Sequence, residues 1–301
     1  MPLLTIFTAP KPFTNPHIAL IQCNAIRSWL ALGAEVEVLL IGEEPGLSET
    51  AGELGVTHLP QVARNEQGTP LVSSIFALAR AHSTRPVLAY INADILLLPD
   101  FLAVAQQVQV QQERFLVVGQ RWDLDVSASL DFSANYASRL QAELSQKGKL
   151  HPPAGSDYFI FPHALFQDMP PFAIGRAGWD NWMIYHAHQM GWPVIDATPS
   201  IHIIHQNHDY SHLPGGKPHY DLEESGRNVE LAGGEGHMYM VLDANRQFRG
   251  GRLALPLPSL PRLLRKGELW LAPRDGRRTG RQWAVARQLR RWRRQLTKAR
   301  Q

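Results

Sequence analysis

Cysteine is almost absent: Cys23 is the only one in 301 residues. That excludes an intramolecular disulfide and an all-cysteine zinc site. Cys23 itself sits in a helical pattern and reads as a small buried core residue. No apolar run reaches the roughly 18 residues that a membrane-spanning helix needs. The chain enters a strand-like Leu3–Phe7 with no basic leader, so no signal peptide is expected. The expected location is cytoplasmic, with the inner face of a membrane as a peripheral site. Internal repeats are also missing. With 44% hydrophobic and 19% charged residues, the composition does not suit a disordered chain. The length allows one large α/β domain or two small ones.

Charge is present but unevenly placed. Residues 262–301 hold 14 of the 30 Lys and Arg and only 2 of the 27 acids, a net +12 against −9 for the preceding 261 residues. An acidic body therefore precedes a basic tail. In the tail, Val285, Leu289, Trp292 and Leu296 step at helical spacing and form one narrow apolar stripe. Arg287, Arg290, Arg291, Arg293, Arg294 and Lys298 occupy much of the rest, with Trp283 among them. Such a helix suits an anionic membrane surface, the protein's own body or a partner helix. Basic and aromatic residues interleave too little for nucleic acid to be the expected partner.

Along the body, apolar strand-like runs alternate with helical patterns. Strands are expected at Leu3–Thr8, Val36–Ile41, Val56–Leu59, Phe115–Val118 and Pro193–Asp196, with a central one in the Val87–Asp100 run. Helices are expected from Asn15-Pro16 to Gly33, and over Ser48–Leu54, Leu71–Ala81, Pro99–Gln109, Asp131–Gln146 and Asp180–Met190. This alternation argues for an α/β fold with a doubly wound, mostly parallel sheet.

The central stretch is Val87–Asp100, where Asn92 and Asp94 interrupt a buried apolar run. A carboxylate buried at a strand end costs several kcal/mol unless it is paired. A divalent cation is a fitting partner at the carboxyl end of a parallel strand, where open α/β sheets bind ligands. At i and i+2, Asn92 could hold a sugar or ribose hydroxyl while Asp94 binds Mg²⁺ or Mn²⁺.

The Asn92-Ala93-Asp94 run resembles the DxD segment of GT-A glycosyltransferases, with Asn92 in place of the first Asp. Three further features stand in GT-A order: Gly155-Ser156-Asp157 entering a strand, Gly178-Trp179-Asp180 at a helix start, and the late histidine strand Ile201–Tyr210. The resemblance covers about residues 3–210. It implies a GT-A-like domain over 1–255, with a nucleotide-binding half to about 125 and an acceptor half from about 126, followed by the tail at 256–301. It also implies a nucleoside diphosphate-sugar donor, a hydroxyl acceptor and a Mn²⁺ or Mg²⁺ ion. A cell-envelope or lipid-linked glycan is the acceptor implied if the tail binds membranes.

On that resemblance Thr8, Pro10 and Lys11 lie beside the donor's base and phosphates, unless Lys11 simply faces solvent. Thr69, in the Gly68-Thr69-Pro70 turn, either offers backbone N–H groups to an anion or only begins a helix. Asp157 either meets an acceptor hydroxyl or caps its turn. Asp180 is the catalytic base if the enzyme inverts, a substrate-positioning residue if it retains, or a helix N-cap; a helix N-terminus would lower its pKa. Trp179 and Trp182 either stack on a sugar or belong to the core. Seven of the thirteen histidines lie between His186 and His219. Of these, His205 and His208 both fit a further metal ligand, with His205 favoured because it ends the apolar strand. The single carboxylate favours Mn²⁺ or Mg²⁺ over zinc. Lys217 or Arg227 could meet the diphosphate. Two rival readings are a nucleotidyltransferase, for which Ala9–Pro12 lacks the needed glycines, and a non-catalytic sugar- or membrane-binding scaffold on a degenerate fold.

Overall fold

The computed structural model describes residues 3–208, 223–272 and 279–298. The first part alternates strand and helix as the apolar pattern requires. β1 (Leu4–Thr8) leads through α1 (Pro16–Leu30) to β2 (Val36–Ile41), through α2 (Leu47–Leu54) to β3 (Thr57–Leu59), and through α3 (Val72–His82) to β4 (Val87–Ile91). The Asn15 side chain accepts from the backbone N–H groups of His17 and Ile18 and starts α1, with Pro16 in the first turn. Then follow β5 (Ile95–Leu96), α4 (Asp100–Gln111), β6 (Leu116–Val118), β7 (Trp122–Leu124), α5 (Tyr136–Lys147), β8 (Lys149–Leu150) and β9 (Tyr158–Pro162). The last part comprises α6 (Trp179–Gln189), β10 (Val194–Asp196), β11 (Ile204–Gln206), α7 (Glu223–Leu231), the hairpin β12 (Arg246–Arg249) and β13 (Arg252–Ala254), α8 (Leu260–Leu271) and α9 (Arg281–Lys298).

The main sheet has the order β13-β12-β10-β6-β9-β4-β1-β2-β3. Its pairings are parallel except around β9, which runs antiparallel between β4 and β6, and at the β12–β13 hairpin. Every residue of β1 and β4 is buried, as expected for central strands covered on both faces. One apolar core, with Trp29, Phe101 and Tyr158, fills one side of the sheet; the other, with Phe7, Phe76 and Trp179, fills the opposite side. A mostly parallel sheet flanked by helices, with further helices at the C-terminal end, is the architecture the sequence pointed to.

Three details differ from expectation. α5 begins at Tyr136 rather than Asp131, because the Asp131 carboxylate accepts from both the backbone N–H and the hydroxyl of Ser133. That local turn competes with a helical first turn. The β12–β13 hairpin, α7 and α8 were not foreseen. Nor was a second sheet, β5-β11-β7-β8, which sits over its own small core with α5. Of the surfaces considered for the basic tail, the structure shows contact with the protein's own body: Arg262 donates to Asp196 at 2.6 Å, and Arg265 pairs with Asp243 at 2.9 Å. No helix among the described residues is long and apolar enough to cross a membrane.

Candidate functional site

Strand register assembles the site. β9 runs antiparallel to β4 with Tyr158 opposite Ile91. The residue before β9, Asp157, therefore meets the residue after β4, Asn92. The Asn92 backbone N–H donates to the Asp157 carbonyl at 2.9 Å, and its side-chain amide donates to Asp157 Oδ1 at 2.9 Å. Tyr90 donates its hydroxyl to Asn92 Oδ1 at 3.2 Å, and Arg121 Nη1 donates to Asp157 Oδ1 at 2.9 Å. Asn92 thus orients Asp157 and Tyr90 instead of presenting a free amide.

The small sheet brings in the histidines. In its register His205 lies opposite Ile95 on one side and Asp123 on the other. His205 is thereby set beside Asp94, whose carbonyl accepts from the Gln206 backbone N–H at 3.2 Å. Gln206 is fully buried and ties this strand to α1 by donating to the Ile21 carbonyl and accepting from Asn24. Asp94 Oδ2 lies 3.0 Å from His208 Nε2 and 3.7 Å from His205 Nε2. Asp94, His205 and His208 each offer one ligand atom, all within 4.8 Å of one another. The two histidines, considered as alternatives in the sequence, come together.

A divalent cation fits this cluster. Asp94 Oδ1 is buried without a hydrogen-bond partner among the described residues, and such an oxygen gains from a cation. Burial would raise the Asp94 pKa, but His205, His208 and Lys11 outweigh it and hold the carboxyl well below the usual range. Its ligand form is therefore the ionised one. Lys11 is half-buried, its Nζ 3.4 Å from His208 Nε2 and its backbone clamped to Gln22 at 2.7 and 2.9 Å. Burial lowers its pKa while Asp94 pulls it back up. It does not simply face solvent.

Asp180 occupies the first turn of α6, not its N-cap, which is Gly178. Gly178 has φ +109°, a conformation that side chains rarely adopt, although an added Cβ would meet Val229 and Asn228 only at ordinary contact distance, 3.4–3.5 Å. Its N–H donates to Asp180 Oδ1 at 3.3 Å. The helix-terminus expectation was a lowered pKa. Instead burial, with the Asp157 charge adding to it, outweighs the backbone donors and raises the Asp180 carboxyl to about 6. Tyr90 is held protonated by burial and by Asp94, Asp157 and Asp180, so its hydroxyl feels all three carboxylates.

Other candidates are placed as follows. Thr8 and Pro10 are buried at and just beyond the carboxyl end of β1. Thr69 sits in a turn whose donors are already used: Gly68 N–H bonds the Asn65 carbonyl and Thr69 N–H the Asn65 side chain. α3 starts only at Val72, whose N–H bonds the Phe172 carbonyl. The backbone of this turn is therefore not open to an anion. Trp179 is core, its ring 4.9 Å from Tyr90, and Trp182 is buried with its ring stacked 4.5 Å from His186. Of the two alternatives for these tryptophans, the structure shows the core one. Arg227 is exposed on α7, and Lys217 lies outside the described residues.

Three contributors escaped the sequence reading: Arg121, Asp123 and His151. Asp123 accepts from Arg121 Nε at 2.9 Å, lies 2.8 Å from His151 Nδ1, and has Oδ1 3.4 Å from His205 Nδ1. Burial would raise its pKa, but His151, His205 and Arg121 lower it strongly. A carboxylate behind a ligating imidazole fixes its orientation and basicity. The one sequence signal was an Arg-Trp-Asp run at the end of a predicted strand.

No known protein family matches the sequence, and no curated protein does. Solved structures that resemble it include glycosyltransferases. Glucosyl-3-phosphoglycerate synthase from Mycobacterium tuberculosis, with Mn²⁺, UDP and glucosyl-3-phosphoglycerate, is 14% identical, with 86% of this chain and 88% of that one covered and a TM-score of 0.47. The same enzyme with Mg²⁺ and UDP gives 15% identity, coverages of 85% and 88%, and a TM-score of 0.48. The mannosyltransferase PcManGT from Pyrobaculum calidifontis, with GDP-Man and Mn²⁺, is 14% identical, with 68% and 56% covered and a TM-score of 0.41. At these identities and scores the likenesses do not bear on activity, which has to stand on this chain's own residues.

Proposed function

We propose that this protein is a metal-assisted glycosyltransferase, moving a sugar from a nucleoside diphosphate-sugar to a hydroxyl acceptor. The observation that carries the reading is the convergence of Asp94, His205 and His208, with an unpartnered carboxylate oxygen, at the carboxyl end of β4. Asp94, His205 and His208 would hold Mn²⁺ or Mg²⁺, with the Asp94 carboxylate as the hard oxygen ligand. When bound, the ion supplies Lewis-acid stabilisation to the diphosphate leaving group. Lys11 brings a second positive charge to the same corner, and Thr8 and Pro10 line the donor side. Asp123 holds the His205 ring in place, and Arg121 with Asn92 keeps Asp157 oriented towards an acceptor hydroxyl.

Asp180 takes the proton. As the acceptor oxygen bonds to the anomeric carbon, the bond from that carbon to the diphosphate breaks and the electron pair leaves with the diphosphate. The hydroxyl proton passes to the Asp180 carboxylate, whose pKa of about 6 suits a base working near neutrality. Release of nucleoside diphosphate from UDP-, GDP-, CDP- and dTDP-sugars, with Mn²⁺ or with EDTA, tests the reading. One donor should be turned over only with metal, and both Asp94→Ala and Asp180→Asn should abolish it. Turnover that survives both substitutions, or none with any donor, contradicts it; the latter result favours the scaffold.

A further inference from the structure

α8 is built inside out. Its inward positions include Arg265 and Glu268, 4% and 1% exposed, whereas Leu260, Leu263 and Trp270 on the outside are 55%, 60% and 84% exposed. Ion pairing explains the inversion. Arg265 donates to both Asp243 oxygens at 3.0 Å, and Glu268 accepts from Arg265 at 3.0 Å, Arg290 at 2.7 Å and Arg293 at 3.1 Å. Charged groups bind α8 to the body and to α9, leaving the apolar residues to face outward.

The outward residues form one row, since positions 260, 263, 267 and 270 fall on one helix face. On α9, Val285 and Trp292 are 48% and 50% exposed, in the stripe they share with Leu289 and Leu296. A Cβ added to Gly267 would lie 3.1 Å from Leu289 Cδ1. Gly267 is in the α8 row and Leu289 in the α9 stripe, so the two apolar rows meet at that crossing. The exposed ionisable side chains of both helices are Lys266, Arg281, Arg287, Arg291, Arg294 and Lys298, all cationic; at helical spacing Lys266 and Arg281 fall beside the apolar rows and the other four on the side of α9 away from its stripe, while the one described acid, Glu268, is buried.

We infer that the α8–α9 surface docks on an anionic lipid bilayer. Trp270, Trp292, Leu260 and Leu263 enter the boundary between headgroups and acyl chains, Lys266 and Arg281 meet acidic headgroups, and the remaining cations add a longer-range attraction. Exposed apolar rows flanked by cations are what such an interface takes up. A second copy fits less well. A two-fold contact would set this cationic face against itself, and a tail-to-body contact would not close. Nucleic acid would match the charge but leave the leucines unburied. The inference is independent of the transferase reading. Joined to it, the inference makes hydroxyl groups of lipid-linked or cell-envelope glycans the acceptors at hand.

The test is co-sedimentation of the full chain with vesicles of phosphatidylcholine alone and of phosphatidylcholine with phosphatidylglycerol, at low and high salt, with tryptophan emission recorded. Binding to the anionic vesicles only, weakened by salt and accompanied by a blue shift, is expected. The double variant Leu263→Ser/Trp270→Ser should bind about tenfold or more weakly, from the apolar burial lost. Lys266→Gln/Arg281→Gln should weaken binding about tenfold or more through charge. All these positions face outward, so melting temperature should hold and separates lost binding from lost fold. No binding to anionic vesicles at low salt, equal binding to neutral ones, or binding untouched by the Leu263/Trp270 pair overturns the inference. So does self-association that the same pair abolishes without any vesicle binding.

Discussion

Replacing Asp180 with asparagine should stabilise the protein at alkaline pH while removing its activity. The Asp180 carboxyl ordinarily titrates at 3.8 and is raised to about 6 in the fold by burial and by Asp157. Between those values the folded state holds more protons than the unfolded one, so stability falls as pH rises. The group's contribution is fully present below 3.8, is lost through 6, and above that leaves a constant penalty. A shift of about two pKa units corresponds to about 3 kcal/mol at pH 8 but only about 0.6 kcal/mol at pH 4. Asparagine keeps the shape and carries no charge, so Asp180→Asn should remove that penalty. Urea unfolding of parent and variant at pH 8 and pH 4 measures it: the variant should gain about 3 kcal/mol at pH 8 and under about 1 at pH 4. A variant destabilised equally at both pH values would refute the reasoning, because the carboxyl would then be contributing bonds instead of costing burial. Stabilisation with loss of turnover is the behaviour expected of a residue strained for function.

Other outcomes follow from the same geometry. Asp123→Asn should leave the fold intact but lower Mn²⁺ affinity about 10–100-fold by freeing the His205 ring, as read by calorimetric titration. Gly178→Ala should cost about 1–3 kcal/mol in urea unfolding, because alanine strains at φ +109°. Glu268→Gln leaves Arg265 and Arg293 buried without their shared carboxylate, a loss of about 3–5 kcal/mol. It should show as early tryptic cleavage within α9 while residues 3–208 stay protected.

The central strands were legible because buried parallel strands announce themselves as continuous apolar runs: Leu3–Thr8, Val36–Ile41 and the run that starts at Val87 read as strands at once. Asn15-Pro16 marked a helix start for an equally local reason. What stayed hidden depends on pairing across distance. The small sheet consists of two- and three-residue strands, too short to show a period, and it is this sheet that brings His205 between Asp94 and Asp123. Asn92 looked like a donor contact until the β4–β9 register set it against Asp157. The Asp180 pKa went the wrong way because sequence gives the helix terminus but not the burial that outweighs it. α8 escaped notice because its charged side faces inward, which inverts the pattern that hydrophobic periodicity relies on.

The most direct test of the central claim is the binding of nucleoside diphosphates to the purified protein, followed by thermal unfolding with UDP, GDP, CDP and dTDP, each with Mn²⁺ or with EDTA. A ligand that binds only the native state raises the melting temperature by mass action, by about 2.7 kcal/mol of stability at a hundredfold excess over its Kd. One diphosphate should stabilise the parent only when Mn²⁺ is present, and Asp94→Ala should lose that response. Stabilisation that is independent of metal, or retained in Asp94→Ala, would contradict the assignment of Asp94, His205 and His208 as the centre of the site.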